Sequence, residues 1–170
     1  PDAKIVVGST CNLRFSEARN YFFSILRSDV MSLVDVVCWH SMYGTSPEYD
    51  YYRDFYYAYP SLVQEIKNVA SAHGFNGEYA SDEMVWRTPK TCNPEEPWTY
   101  SETVAAKCCA RGIIMHLGMD VSVSMAVTAS LPKYFSTQQN LCTITAGAKS
   151  VSLPVELQSE ATNIERYAFS

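Results

Sequence analysis

Apolar positions along this chain fall into two alternating rhythms. Short, nearly continuous β-branched runs close on a glycine or a polar residue, and stretches with apolar residues three and four apart follow them. Lys4 to Gly8 reads as a first strand, with the continuous apolar character of a strand covered on both faces. From Ser16, taken as the N-cap, Ala18, Phe22, Ile25, Leu26 and Val30 mark a helix to about Asp29. Leu33 to His40 predicts a second strand, and Pro60-Ser61 starts a helix with Leu62, Ile66, Val69 and Ala70 on one stripe, stopped at Gly74. Gly77 to Arg87 predicts a third strand that ends at Glu83, with Trp86 and Arg87 just beyond, and Ser101 opens a helix that runs to about His116 and ends at Gly118. A fourth strand is expected from Asp120 to Val127 and a last helical piece over Ser136 to Leu141. Two further strands, Val151 to Gln158 and Asn163 to Phe169, have no helix between them.

Four βα units in a row argue for a parallel sheet with helical crossovers, that is, an α/β chain. Four units are also half of a (β/α)₈ barrel, in which active sites gather at the C-terminal ends of the strands. The expected division is a half-barrel over residues 1–145 and, over 146–170, the start of an accessory sandwich or a C-terminal β extension.

Composition narrows the partners. At 170 residues the chain can bury one good core, and a net charge of −5 with no Lys/Arg run supplies no face for nucleic acid or for an anionic membrane. No stretch approaches the roughly 20 apolar residues of a membrane span. Cys38 lies in an apolar run, and Cys108 and Cys109 are adjacent on a helix, which suits buried thiols better than a disulfide framework. No cysteine and histidine spacing suits zinc, and no glycine-rich loop at a strand-to-helix turn suits a phosphate cofactor, so neither a metal nor a cofactor is expected.

Candidate chemistry centres on Gly77 to Arg87. The third strand is expected to deliver the Glu83 carboxylate to its C-terminal end, with Ser81 and Tyr79 on the same face and Asp82, Ala80 and Glu78 on the other. The second strand ends in Trp39 and His40, followed by Tyr43. Between Ser41 and Tyr59 stand Tyr43, Tyr49, Tyr51, Tyr52, Tyr56, Tyr57 and Tyr59, too aromatic a run for a simple connector and suited to stacking a flat ligand. Trp39, Trp86 and Trp98 all follow strands on the same expected face, which suits sugars, whose C–H faces stack on rings. Asn12, just past the first strand, is a further candidate for that cleft. Each has an ordinary alternative: a solvated Asp-Glu pair beside Arg87, a core histidine at His40, tryptophans packed under long loops, and a turn role for Asn12. His73 and His116, at helix C-termini where a cation favours the dipole, read as structural.

Val34 to Tyr43 followed by Gly74 to Glu83 resembles strands six and seven of the clan A glycoside hydrolases, which are retaining (β/α)₈ enzymes. The resemblance covers essentially the whole chain as strands five to eight. It implies that Glu83 is the nucleophile and that His40 and Tyr43 shape the subsite holding the scissile bond; Trp39, Trp86 and Asn12 are expected around it from their positions after the strands. The family's acid/base Glu, on strand four, would lie upstream of Pro1, and the strand-eight Trp has no counterpart in Ser122 to Val127. The function implied is therefore that of a glycosidase fragment acting on a carbohydrate substrate by double displacement. The alternative is a non-catalytic half-barrel kept for carbohydrate binding or interaction. An open half-barrel would leave edge strands unpaired, so self-association is expected.

Overall fold

The computed structural model describes residues 3–87 and 99–123, together with the backbone of 126–128, 140–146 and 149–155. The expected last strand over 163–169 and most of the expected helix over 136–141 lie outside them. At the end of that range, residues 140 and 141 belong to a strand instead.

The chain is mixed α/β. A parallel sheet runs in the order β1 (Val6–Thr10), β2 (Val36–Tyr43), β3 (Glu78–Trp86), and beyond β3 come β4 (Ser122–Val123) and β5 (Ala126–Thr128), each pairing in parallel with β3. Helices α1 (Ser16–Leu26), α2 (Asp50–Ala72) and α3 (Glu102–Gly118) follow β1, β2 and β3 in turn. A separate antiparallel hairpin, β6 (Asn140–Ala146) with β7 (Lys149–Val155), spans the expected boundary at 145/146. Among the described residues no helix is long and apolar enough to cross a membrane.

Several element boundaries differ from expectation, each for a local reason. The first two strands sit two to three residues later than their apolar runs suggest. Asp35 ends the lead-in to β2 by accepting the Ile5 amide on its carboxylate at 2.7 Å, and Leu33, expected in β2, closes a 3-10 turn from Asp29 to Leu33. Ser16 is the first residue of α1 rather than its cap, which is Phe15. That helix stops at Leu26, where the Ser28 hydroxyl donates to the Ile25 carbonyl at 2.6 Å, so Val30 stands exposed on the 3-10 turn instead of extending the stripe.

The largest difference is α2. It begins ten residues before Pro60, which lies in its interior. Proline removes one backbone donor from the ladder at that point. The buried series Phe55, Tyr59, Leu62, Val63, Ile66 and Ala70 nevertheless keeps helical spacing across it, so packing on one continuous face outweighs the lost bond. Gly74, at φ +88°, turns the chain out of this helix. The third helix starts as the sequence implies, with the Ser101 side chain accepting from the Val104 amide.

The core lies between the sheet and its helices. Trp39 packs on Phe22 of α1 and donates from Nε1 to the Tyr59 hydroxyl of α2 at 2.9 Å. Trp86 lies so close to α3 that a Cβ on Gly112 would sit 2.8 Å from its ring, which makes Gly112 a groove for the indole. Buried Tyr59 bridges to His116, whose Nε2 lies 2.7 Å from the phenol oxygen and whose Nδ1 lies 2.6 Å from the Gly112 carbonyl. His116 is structural, as expected, but not as a cation: burial pulls its pKa down to about 4, so the ring is neutral near pH 7. The thiols of Cys38, Cys108 and Cys109 are free and buried, and burial pushes Cys108 up to about 11 and Cys109 to about 12.

Candidate functional site

Two irregularities of the sheet build the site. In β1 the pairing slips between Gly8 and Thr10, leaving Ser9 out of register at φ +47°, an uncommon conformation for a residue other than glycine. Gly8 precedes it at φ +114°, where a Cβ would come within 1.9 Å of the Cys38 carbonyl oxygen, so only glycine fits. In β3, Ser81 pairs with Trp39 but Glu83 pairs with His40, so Asp82 is an extra residue.

The second bulge overturns the expected alternation. Tyr79 packs on Phe75 and sets its hydroxyl 3.4 Å from the Lys67 carbonyl of α2, while Ser81 is buried with its hydroxyl 2.6 Å from that of Ser41; Met84 and Trp86 are also buried on the helix side. Asp82 and Glu83, consecutive in sequence, both reach His40 on the opposite face: Nε2 lies 3.9 Å from Asp82 Oδ1 and 3.8 Å from Glu83 Oε2. Asp82 therefore does not turn away from Glu83, and the strand continues three residues beyond Glu83 rather than ending there.

The remaining contacts fix this cluster. His40 Nδ1 is 2.9 Å from the Tyr43 hydroxyl, and the two rings stack at 5.8 Å between centroids. Burial first, then the neighbouring Glu83 carboxylate, raise the Tyr43 phenol well above its ordinary range, so it stays protonated. Across β2, the Ser9 hydroxyl donates to Asp82 Oδ2 at 2.6 Å, while Asp82 Oδ1 has no hydrogen-bond partner. The side chains of His40, Asp82 and Glu83 keep roughly a quarter of their surface open, at 26%, 23% and 28%. The result is a carboxylate accessible to solvent, beside an imidazole that a phenol orients and a second carboxylate anchored by a serine. Among the described residues no group of three or more His, Cys, Asp or Glu side chains is arranged to hold a metal ion.

Not every residue expected at this site is there. Trp39 and Trp86 are fully buried in the layer between sheet and helices, on the face opposite Glu83; Trp86 spends its indole N–H on the Thr45 carbonyl at 2.8 Å. The indoles are core, because β2 and β3 each place one aromatic against a helix groove. Trp98 lies outside the described residues, although the ends of the segment that contains it are joined by a bridge between Arg87 and Thr99.

Asn12 is buried and lines a cavity of about 280 Å³ with Cys11, Phe15, Tyr43, Gly44, Tyr51, Tyr52, Val85 and Arg87. It is both the turn residue of the alternative reading, accepting the Arg14 amide at 2.9 Å, and a wall of a pocket that shares Tyr43 with the Glu83 cluster. Asp82, Ser9 and Arg87 are the residues that sequence reasoning left out of the site. The glycine at position 8 is the one mark of the first bulge; nothing in the local sequence marks the second. Compared with protein-family models, curated proteins and solved structures, the chain matches none of them.

Proposed function

We propose that the chain is the C-terminal half of a (β/α)₈ barrel from a retaining glycoside hydrolase, with Glu83 as the nucleophile. The observation that carries this reading is the cluster in which His40, hydrogen-bonded to Tyr43, lies 3.8 Å from Glu83 on the face of a parallel sheet away from its helices, toward the C-terminal ends of adjacent strands. In this mechanism Glu83 attacks the anomeric carbon, the glycosidic bond breaks, and water later releases the sugar from the ester. His40 bridges Tyr43 and the acidic pair and sets the position of both. Such enzymes place a second carboxyl roughly 5 to 5.5 Å away to protonate the leaving oxygen. Here that acid/base Glu belongs on strand four of the barrel, outside this chain, and Asp82, tied to Ser9, serves to position His40.

An activated glycoside separates the nucleophile from the missing acid, because a dinitrophenolate or fluoride leaving group departs without protonation. Incubation with 2-deoxy-2-fluoro glycosyl fluorides and dinitrophenyl 2-deoxy-2-fluoro glycosides, followed by peptide mass mapping, should place one glycosyl adduct on Glu83 and none in Glu83→Gln. An adduct on another residue refutes the assignment. Saturable carbohydrate binding with no adduct moves the chain to the alternative class, a non-catalytic binding half-barrel.

A further inference from the structure

The cavity beside the Glu83 cluster is unlike the rest of this acidic chain. Of the nine described residues lining it, none is a carboxylate and one, Arg87, is a cation, although the chain as a whole carries −5. A second guanidinium, Arg14, borders it, 3.7 Å above the Tyr51 ring and 5.1 Å from that of Tyr52, and donates to the Tyr51 carbonyl at 3.0 Å. Arg87 lines the cavity alongside Tyr51 and Tyr52, the rings that Arg14 covers. The first residues of two helices also border it: Phe15 caps α1, and Tyr51 and Tyr52 lie in the first turn of α2. Helix N-termini carry partial positive charge. Finally, Asn12 is 2% exposed, and its Nδ2, a donor, has no hydrogen-bond partner. Donors, cations and aromatic rings without an acid describe a site for an acceptor-rich anion with a flat apolar face.

We propose that this cavity is the subsite for a carboxylate-bearing sugar unit, with Arg87 as the partner of the carboxylate and Tyr51 and Tyr52 as the stacking surface. The proposal rests on the glycosidase reading for its sugar, and deepens it by naming an acidic glycan as the substrate class. A planar guanidinium matches a carboxylate with two parallel hydrogen bonds, which a neutral hydroxymethyl group at the same ring position cannot return. A cavity of about 280 Å³ takes one monosaccharide unit. Because Tyr43 belongs to both the cavity and the Glu83 cluster, a sugar seated here adjoins the unit whose bond Glu83 attacks. The cations also offset the repulsion that the Asp82 and Glu83 pair exerts on an anionic substrate.

The test is calorimetric titration of the 170-residue chain with methyl glucuronoside, methyl galacturonoside, their neutral methyl glucoside and galactoside counterparts, and sodium acetate. At least one uronoside should bind about tenfold or more tightly than its neutral counterpart and than acetate. Arg87→Gln should abolish that preference and Arg87→Lys should keep part of it, with unchanged circular dichroism in both; Arg87 is exposed, so neither change opens the core. Equal binding of neutral and acidic glycosides, or a preference that survives in Arg87→Gln, overturns the acidic subsite while leaving the glycosidase reading intact. Acetate binding as tightly as the uronosides overturns the sugar part. Binding of no glycoside overturns the proposal as well, and adduct formation on Glu83 with a neutral fluoroglycoside then decides the glycosidase reading separately.

Discussion

Replacing Tyr59 by Phe removes one oxygen atom from the middle of the core and strands two partners. The phenol oxygen accepts the Trp39 indole N–H at 2.9 Å and donates to His116 Nε2 at 2.7 Å, while His116 Nδ1–H is committed to the Gly112 carbonyl. All three residues are fully buried, so water cannot take the place of the lost oxygen. Each buried polar group left unsatisfied costs about 1–3 kcal/mol, which makes Tyr59→Phe destabilising by roughly 2–6 kcal/mol. That is a large part of the ~5–15 kcal/mol that stabilises a typical domain. Adding His116→Leu removes one of the stranded acceptors, so the double variant should lose less than the sum of the two single losses.

The same network sets an acid limit. His116 titrates near 6.5 when unfolded and at about 4 when folded. Between those values the unfolded chain takes up a proton that the folded chain refuses. Stability from this group is therefore complete above pH 6.5 and lost as pH falls toward 4, at ~1.4 kcal/mol per pH unit, about 3 kcal/mol in total. Urea unfolding of the wild type, Tyr59→Phe, His116→Leu and the double variant, at pH 7.5 and 4.5, measures all of these. A Tyr59→Phe cost below about 0.5 kcal/mol, or an acid sensitivity in His116→Leu equal to that of the wild type, would refute the account of a neutral, fully bonded histidine.

Three further outcomes are expected. Gly8→Ala should destabilise the chain by roughly 2–5 kcal/mol in urea unfolding, since it forces a Cβ against the Cys38 carbonyl at a left-handed φ. Asp82→Asn should slow adduct formation with the activated fluoroglycosides yet leave the adduct on Glu83, whereas Glu83→Gln should leave no adduct in the mass spectrum; equal behaviour of the two would contradict the separate roles given to the pair. Aryl glycosides with poor leaving groups should resist the 170-residue chain, because protonation of the leaving oxygen matters most for them, and their efficient cleavage would mean that the chain holds its own acid.

The βα order was legible because its signals are repeated. Apolar runs recur, amphipathic stripes follow them, and Gly74 and Ser101 punctuate as such residues do. What was not legible is parity. Period-two reasoning carries a side chain's face from one end of a strand to the other, and one inserted residue reverses every assignment beyond it. Counting back from Glu83 across the extra Asp82 therefore put Ser81 and Tyr79 on the wrong face and sent Asp82 away from its neighbour. The tryptophans failed differently: composition identified them as notable, but whether a strand-end indole faces a cleft or a helix depends on a groove such as that at Gly112, supplied by a distant segment. In α2 the signals conflict: Phe55 and Tyr59 continue the stripe of Leu62 and Ile66, whereas Pro60 has the look of a start and is an interruption that the packing absorbs.

Trp39 and His40 are joined by a peptide bond yet belong to different problems, one on each side of the sheet, and Glu83 and Met84 repeat the division one strand over. This divides mutational freedom along the chain. A saturating library scored for folding should forbid substitution at Trp39, Met84 and Trp86 and permit it at His40 and Glu83, while the same library scored for chemistry should forbid the second group as well. The sheet thus works as a partition: the face that carries His40 and Glu83 can be rewritten, residue by residue, without asking the helical layer to fold again.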